Sequence, residues 1–238
     1  MTYVISDLHG RIDFYHEILE KISFCAKDNL YILGDIGDRN EGGIQIFKEI
    51  MDEPNIHMLL GNHEQMMLNA ILYPRAISLN GNETNEQLWF RNGGSITKME
   101  FFAEPKVLQE KILLYVEKLP LNIDLEINGT KFLLVHGLPT CMFDKYGRDY
   151  DDVAEFAVWE RIEGWMRVEF PADIMICGHT PTWYYRDENP MKICSVRENV
   201  YDIDCGCASG EEYGGRLACL RLEDMKIFYT GEKSVSSE

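Results

Sequence analysis

Four of the six histidines in this sequence directly follow short apolar runs, each beside a glycine or an asparagine. These four are His9, His63, His136 and His179. The ends of the same runs, and of one further run, carry three carboxylates and one amide: Asp7, Asp35, Asp38 and Asn62. A single histidine at a strand end is usually a hydrogen-bonded surface residue. Four of them, together with these oxygen ligands, indicate one shared site.

The ligand types predict the kind of metal that such a site would hold. Carboxylate, amide and neutral imidazole together suit divalent Mn, Fe or Zn, whereas a calcium site would be built from oxygen alone. No thiolate belongs to the set, so a closed, cysteine-rich zinc site is not indicated. This many ligands on separate strands favours two ions that share one carboxylate. Such a pair can clamp the attacking and leaving oxygens of a phosphoryl group and generate hydroxide near neutral pH.

Positioning these residues requires a parallel sheet. The runs "TYVIS", "NLYILG" and "IHMLLG" are typical of buried strands, and two helical patterns, "IDFYHEILEKISF" and "EGGIQIFKEIM", separate them. The order βαβαβ implies parallel strands with right-handed crossovers, in which ligands gather at the carboxyl ends. His16 and His57 fall inside a predicted helix and a predicted strand, and we interpret both as structural.

The second half of the sequence predicts a helical insertion followed by more strands. Residues 72–120 contain breaks such as "RNGGS" and the amphipathic pattern "PKVLQEKILLYVEKL", so we expect a mainly helical cap over the site. After it, Asn128-Gly129 joins two β-rich runs into a hairpin. "ADIMICGH" and the tail predict further strands, with a turn near Glu223-Asp224. We expect residues 1–238 to form one domain that carries this insertion.

The composition indicates which classes of binding partner and which cellular compartment fit the protein. The net charge of −17, from 40 acidic and 23 basic residues, disfavours binding to nucleic acid or to a membrane surface. Charge appears by Asp7, too early for a signal peptide, so we predict a cytoplasmic protein. Seven scattered cysteines suit free thiols in a reducing compartment, and the spacing of Cys205 and Cys207 is not that of a zinc site. The oligomeric state is not indicated.

The ordered motifs resemble those of the metallophosphoesterase (calcineurin-like) superfamily, and within it the phosphoprotein phosphatase (PPP) group. The motifs are "SDLHG", "GDIGDRN", "GNHE", "VHG" and "CGHTP", while "WFRNGGSIT" and the tail resemble bacterial members, including symmetrical diadenosine tetraphosphatases. Ser6 and Asn40 stand where the group has glycine, and Asn40 tolerates the same left-handed backbone. The resemblance implies an α/β fold, a four-layer α/β/β/α sandwich with a helical cap insertion.

The resemblance also implies a role for each site residue. Asp7 and His9 would hold the first of two divalent ions, Mn in the first instance with Fe or Zn as alternatives. Asp35 would bridge the ions, and the second ion would bind Asn62, His136 and His179. His63 would be the general acid, oriented by Asp38, and Arg39 would grip the phosphate together with Asn62.

A second phosphate-binding arginine is expected between the last two histidines. Arg148, Arg161 and Arg167 are the candidates, and the pattern "VWERI" favours Arg161. A solvent-facing arginine on a helix is the alternative. In the cap, Trp89, Asn92 and Thr97 could contact substrate, or "WFRNGGS" could be a packed turn.

Several functions fit these motifs. The first is a metal-dependent phosphomonoesterase acting on phosphoserine or phosphothreonine proteins, with metal-bound hydroxide attacking in line. The second is a hydrolase of dinucleoside polyphosphates, for which Trp89 and Phe90 could stack on a base. A catalytically dead scaffold is disfavoured because every metal and acid position holds a competent residue type. A phosphodiesterase of nucleic acid fits poorly with the acidic charge.

Overall fold

The computed structural model describes residues 1–78 and 81–231. Its strands are β1 (Thr2–Ile5), β2 (Asn29–Ile32), β3 (Ile56–Met58), β4 (Asn122–Ile127), β5 (Thr130–Val135), β6 (Ile174–Cys177), β7 (Cys194–Arg197), β8 (Val200–Asp202), β9 (Ala218–Arg221) and β10 (Lys226–Tyr229). Its helices are α1 (Ile12–Lys21), α2 (Gly43–Ile50), α3 (Asn62–Leu72), α4 (Asn85–Arg91), α5 (Ser95–Ala103), α6 (Lys106–Val116), α7 (Phe143–Tyr146) and α8 (Val153–Trp159).

The strands form two mixed sheets, one in the order β10-β9-β1-β2-β3 and the other in the order β4-β5-β6-β8-β7. The predicted βαβαβ start is confirmed, because β1, β2 and β3 pair in parallel and α1 and α2 connect them. β5, β6 and β8 also pair in parallel. The carboxyl ends of β1, β2, β3, β5 and β6 are followed by predicted site residues.

The four-layer sandwich is confirmed by the way alternate side chains are buried. In β1, Val4 belongs to the apolar cluster between the sheets, whereas Ile5 belongs to the cluster under α1 and α2. In β5, Leu134 faces the same inter-sheet cluster and Leu133 packs with α8. Both neighbours are buried because successive strand residues point to opposite faces, each covered by another layer. That explains why these strands read as continuous apolar runs.

The segment 72–120, which we call the cap segment, contains three helices, α4, α5 and α6. The hydroxyl of Thr84 accepts a hydrogen bond from the Gln87 backbone, and the Gln87 side chain accepts one from the Thr84 N–H. This capping box marks the start of α4. Phe101 and Ile112 join the core cluster of the first sheet, so the segment packs on that side of the molecule. Its standing as an insertion within one domain remains a prediction.

Two turns between antiparallel strands lie where the sequence places them. Asn128 and Gly129 both have positive φ, 53° and 83°, between β4 and β5, as a two-residue hairpin turn requires. The turn between β9 and β10 contains Glu223 and Asp224. The sequence reading missed β7, a short edge strand whose register is broken between Ser195 and Arg197.

All seven cysteines are free thiols, and Cys205, Cys207 and three others are buried. Within residues 1–78 and 81–231, no helix is both long enough and apolar enough to cross a membrane.

Candidate metal centre

The predicted site residues other than Arg161 lie just after the ends of five strands, on loops or, for Asn62 and His63, in the first turn of α3. Asp7 and His9 follow β1; Asp35, Asp38 and Arg39 follow β2; Asn62 and His63 follow β3; His136 follows β5; and His179 follows β6. The two sheets therefore bring their strand ends to one edge. All except Arg39 are buried, although most are polar or ionisable. Buried polar groups need partners, and this concentration is typical of a functional site.

The backbone of these loops is strained. In the described part of the chain, ten non-glycine residues have positive φ, and six of them lie here: Asp7, His9, Asp35, Asp38, Arg39 and His179. Each such conformation costs on the order of 1–3 kcal/mol and persists only where the surroundings enforce it. Strain of this kind clusters at sites that must aim side chains at a common point.

Two glycines allow the loops to approach this closely. A Cβ on Gly61 would lie 2.2 Å from Oδ1 of Asp35, and a Cβ on Gly178 would lie 2.3 Å from Oδ2 of Asp7. Any larger residue at either position would displace a carboxylate. The glycines of the "GNHE" and "CGHTP" motifs thus leave room for the acidic side chains of neighbouring loops.

Three histidines are oriented by main-chain carbonyls. His9 Nδ1 lies 3.1 Å from the Gly37 carbonyl oxygen, and His136 Nδ1 lies 2.6 Å from that of Leu33. His179 Nε2 lies 3.1 Å from the Trp159 carbonyl oxygen. A carbonyl only accepts, so each of these nitrogens carries the proton and the other ring nitrogen keeps its lone pair. This pattern of backbone support is typical of metal-binding histidines.

The remaining nitrogens point toward Asp35 and Asn62. Asp35 Oδ2 lies 3.8 Å from His9 Nε2, and Asp35 Oδ1 lies 3.5 Å from His136 Nε2. Asn62 Oδ1 lies 3.0 Å from both His136 Nε2 and His179 Nδ1. Two groups of ligand atoms, each spanning less than 4.8 Å, share Asp35: one contains His9 and His63, the other His136 and His179. A carboxylate common to both groups is the arrangement expected of a bridging ligand.

Asp7 offers an independent test of fit. Its Oδ2 accepts hydrogen bonds from the Ser6 hydroxyl and from the His179 backbone N–H, the latter at 3.0 Å. Its Oδ1 is buried and has no hydrogen-bond partner. Leaving a buried carboxylate oxygen unpaired is costly, and a cation would satisfy it. The predicted ligand set therefore fits divalent ions that take nitrogen and oxygen ligands.

The electrostatics of the site point the same way. Burial and the nearby charge of Asp7 raise the pKa of Asp35 well above its usual range. Burial, followed by Arg39, lowers the pKa of His9, and burial, followed by His136, lowers the pKa of His179. Neutral imidazoles are the form that binds metal. Carboxylates crowded in a buried site are stabilised in their charged form by a dication.

Asp38, His63 and Arg39 form a second cluster beside the ligand set. His63 Nδ1 lies 2.7 Å from Asp38 Oδ2, and His63 Nε2 lies 3.2 Å from a terminal nitrogen of Arg39. Burial, followed by the charge of Arg39, lowers the pKa of His63 well below its usual range. The Asp38 carboxylate fixes the Nδ1–H tautomer, and the Nε2 edge faces the exposed guanidinium.

Arg161 is the candidate that lies at the site. Its NH1 donates to the His179 carbonyl at 3.2 Å and to the Thr180 hydroxyl at 3.0 Å. Arg167, by contrast, is 82% exposed and pairs with Glu169. Arg148 lies in a short 3-10 turn. The contacts of Arg161 thus agree with the choice that the "VWERI" pattern favours. Its binding of phosphate stays a prediction.

The sequence reading gave no role to Glu64, which the structure places under the metal loops. Its Oε2 accepts the N–H groups of Asp35 and Gly61 at 2.8 and 3.1 Å. Its Oε1 accepts the N–H of Ile36 at 2.9 Å. In the sequence, Glu64 stands three residues after Gly61, the position at which a glutamate caps the start of a helix, and this spacing could have predicted its role.

Of the substrate contacts suggested for the cap segment, burial excludes those of Trp89 and Thr97. Trp89 and Thr97 are completely buried. Trp89 Nε1 donates to Asp38, and Thr97 Oγ1 accepts the Asp38 N–H. Asn92 donates its side-chain amide to the Leu88 carbonyl at 2.9 Å. The "WFRNGGS" segment is therefore the packed end of α4 and the turn into α5, and Trp89 is not free to stack on a base, whereas Phe90 is 40% exposed.

A groove of about 340 Å³ runs between α4 and residues 149–159. Leu88 and Trp159 supply apolar surface, while its charged lining consists of Arg91, Asp149, Asp151 and Glu155. Arg91 is paired with Glu83 at 2.6 Å. Because the Trp159 carbonyl binds His179, one end of this acidic groove adjoins the metal centre.

Comparisons with known proteins agree with this geometry. The family model described as calcineurin-like phosphoesterase matches residues 2–209. The symmetrical bis(5'-nucleosyl)-tetraphosphatase of Cronobacter sakazakii is 22% identical over 277 residues, covering 95% of this chain and 93% of that protein. Serine/threonine-protein phosphatase 2 of Salmonella typhimurium is 25% identical over 190 residues, covering 74% of this chain and 78% of its own length.

The fold is also found among solved structures. The cold-active protein-tyrosine phosphatase of a psychrophilic Shewanella superimposes with a TM-score of 0.59 at 17% identity, covering 96% of this chain and 79% of that chain. At that identity the match concerns the fold.

Proposed function

We propose that this chain, which belongs to the calcineurin-like phosphoesterase family, is a two-metal phosphomonoesterase of the serine/threonine protein phosphatase type. Family membership makes it a metal-dependent phosphoester hydrolase. The observation that carries the finer assignment is the His63 edge between Asp38 and Arg39, beside the shared ligand Asp35. A general acid, His63, and a phosphate-binding cation, Arg39, beside a two-metal site are the groups that transfer of a phosphoryl group to water requires.

Two divalent ions, Mn with Fe or Zn as alternatives, would bind Asp7, His9, Asp35, Asn62, His136 and His179. When bound, such ions polarise the phosphoryl oxygens and activate water at neutral pH. The guanidinium of Arg39 binds two phosphate oxygens, because its planar fork matches their spacing. Arg161, anchored by its NH1 contacts with the His179 carbonyl and the Thr180 hydroxyl, contributes a second cation.

His63, when protonated on both ring nitrogens, donates the Nε2 proton to the leaving alkoxide oxygen, and the Asp38 carboxylate stabilises that imidazolium through Nδ1–H. An alkoxide leaving group is a strong base, so protonation lowers the barrier most for alkyl esters. Serine and threonine phosphates are alkyl esters, which is why this acid favours the protein phosphatase assignment.

The surroundings of the site also favour a phosphoprotein. The buried Trp89 offers no platform for a base, and the acidic groove would repel a tetraphosphate chain. A peptide with basic residues near its phosphate complements the same groove. The net charge of −17 argues against nucleic acid as substrate. Seven unpaired thiols suit a cytoplasmic enzyme.

Hydrolysis of symmetrical dinucleoside tetraphosphates is the second candidate. It is favoured by the tetraphosphatase relative, which aligns along 95% of this chain and 93% of its own length. Trp183 is 57% exposed four residues after His179, and it could supply the stacking surface that Trp89 does not.

Parallel assays separate the two candidates. The metal-loaded protein is given a phosphoserine peptide and diadenosine tetraphosphate at equal concentration, and released phosphate and nucleotides are measured. We expect the higher kcat/KM for the peptide. Release of two ADP molecules per tetraphosphate at a higher kcat/KM would establish the second candidate. Activity on p-nitrophenyl phosphate alone does not discriminate between them.

A further inference from the structure

We propose that Trp89 and Thr97 are positioning residues, through which the cap segment holds the general acid in its active orientation. This inference rests on the proposed function, since it concerns how the Asp38–His63 pair is aligned. Neither residue reaches the surface, so both act through Asp38.

The first contact fixes the Asp38 carboxylate. The indole N–H of Trp89 lies 3.0 Å from Oδ1 and 2.8 Å from Oδ2 of Asp38. Oδ2 is also the atom that accepts the His63 Nδ1–H at 2.7 Å. A donor shared between both oxygens sets the plane of the carboxylate, and that plane sets the direction of the imidazole. Without the indole, the carboxylate can rotate about its terminal torsion, which is intrinsically soft.

The next contacts fix the backbone under the carboxylate. The Asp38 N–H donates to Thr97 Oγ1 at 2.7 Å, and the Arg39 N–H donates to the Gly93 carbonyl at 3.2 Å. Asp38 and Arg39 are consecutive residues with φ of 69° and 68°. Arginine in particular avoids this left-handed region, so the conformation depends on outside support. Both supporting groups come from the turn between α4 and α5 or from α5 itself.

The glycines of the same turn make the contacts possible. A Cβ on Gly93, whose φ is +98°, would lie 2.9 Å from Arg39 Cγ. A Cβ on Gly94 would lie 2.3 Å from Trp89 Cδ1. The residues of the "WFRNGGSIT" motif therefore act together. Trp89 supplies an indole N–H and Thr97 a hydroxyl, and the glycines allow both to approach the loop after β2.

The test compares leaving groups. In the metal-loaded protein, Trp89→Phe removes the donor and keeps an aromatic ring, and Thr97→Val removes the acceptor. We expect each to lower kcat roughly 10-fold on a phosphoserine peptide, as misplacement of an acid does. On p-nitrophenyl phosphate, whose leaving group hardly needs a proton, the loss should be less than about threefold.

Two further variants separate positioning from folding. Thr97→Ser keeps the hydroxyl and should restore the wild-type ratio between the two substrates. Phe101→Leu, a buried α5 change with no contact to Asp38 among the hydrogen bonds described, should lower Tm and leave the ratio unchanged. Equal losses on both substrates in Trp89→Phe and Thr97→Val, or a shifted ratio in Phe101→Leu, would overturn the proposal.

A second readout does not depend on activity. Among the indole N–H signals of the four tryptophans, that of Trp89 should exchange slowly with D2O, and Asp38→Ala should accelerate its exchange at least tenfold relative to wild type. Rapid exchange in the wild-type protein would overturn the contact itself. If the wild-type protein hydrolyses no monoester, the proposed function is wrong, and slow exchange would still support the contact.

Discussion

The Nδ1 atom of His63 lies 2.7 Å from Oδ2 of Asp38, and both residues are at most 2% exposed. This leaves Nε2 as the only ring nitrogen of His63 that can reach a substrate. The Asp38 carboxylate beside Nδ1 stabilises the protonated imidazole, which suits His63 to pass a proton through Nε2. Nε2 also lies 3.9 Å from an Asp35 oxygen, so the metal content of a His63 variant distinguishes a proton donor from a ligand.

Replacing His63 with asparagine should lower kcat on a phosphoserine peptide roughly 100- to 10,000-fold, the usual contribution of a positioned acid. The loss should shrink on p-nitrophenyl phosphate. The double variant with Asp38→Asn should lose little more than His63→Asn alone, because residues that act as a unit are not additive. Metal content, measured on the same preparations, should be unchanged. Loss of metal from His63→Asn would show that His63 is a ligand.

Divalent metal should stabilise the fold. Metal that binds only the native state at about 100-fold its dissociation constant contributes about 2.7 kcal/mol, or about 5–10 °C in Tm for a chain of this size. We expect Mn²⁺ to raise Tm by that amount and EDTA to reverse the change. Asp7→Asn should weaken the response, because the free Oδ1 oxygen supports the ligand assignment of Asp7. Metal analysis should give two ions per chain; an unaltered Tm with full activity in excess chelator contradicts the prediction.

Arg39→Ala should raise KM for phosphomonoesters roughly 10- to 100-fold, since hydrogen bonds to a charged group contribute about 1.5–3 kcal/mol. Arg39→Lys should recover only part of the loss, because an ammonium lacks the planar fork. Inhibition by inorganic phosphate should weaken in parallel. Arg167→Ala, which removes an exposed cation that pairs with Glu169, is the matched control and should leave KM unchanged.

The acidic groove should discriminate between substrates. Phosphopeptides with lysine beside the phosphoserine should be hydrolysed with roughly 10-fold higher kcat/KM at low salt than those with glutamate, and added salt should reduce the difference. Neutralising the groove with Asp149→Asn, Asp151→Asn and Glu155→Gln should abolish the preference. A control triple variant, Glu110→Gln, Glu117→Gln and Asp124→Asn, removes the same charge outside the groove lining. The preference should survive in it.

The sequence alone determined where the strands end and which residues stand there. Its alternating apolar runs predicted β1, β2 and β3 with parallel pairing, because a strand buried on both faces carries apolar residues throughout. The ordered motifs around His9, Asp35 and Asn62 predicted the ligand set, because residue type and position after a strand are local properties. The sequence did not predict edge strand β7, since only one of its four residues is buried and its register is broken by a bulge.

Only the tertiary structure decided what the other polar residues do. Trp89 looks like a possible stacking surface in the sequence, yet its indole is buried against Asp38, 51 positions away along the chain. Glu64 binds the backbone of Asp35 across 29 positions. Such contacts depend on how the cap segment and the two sheets pack, and no local pattern of hydrophobic spacing encodes which distant loop a buried donor will meet.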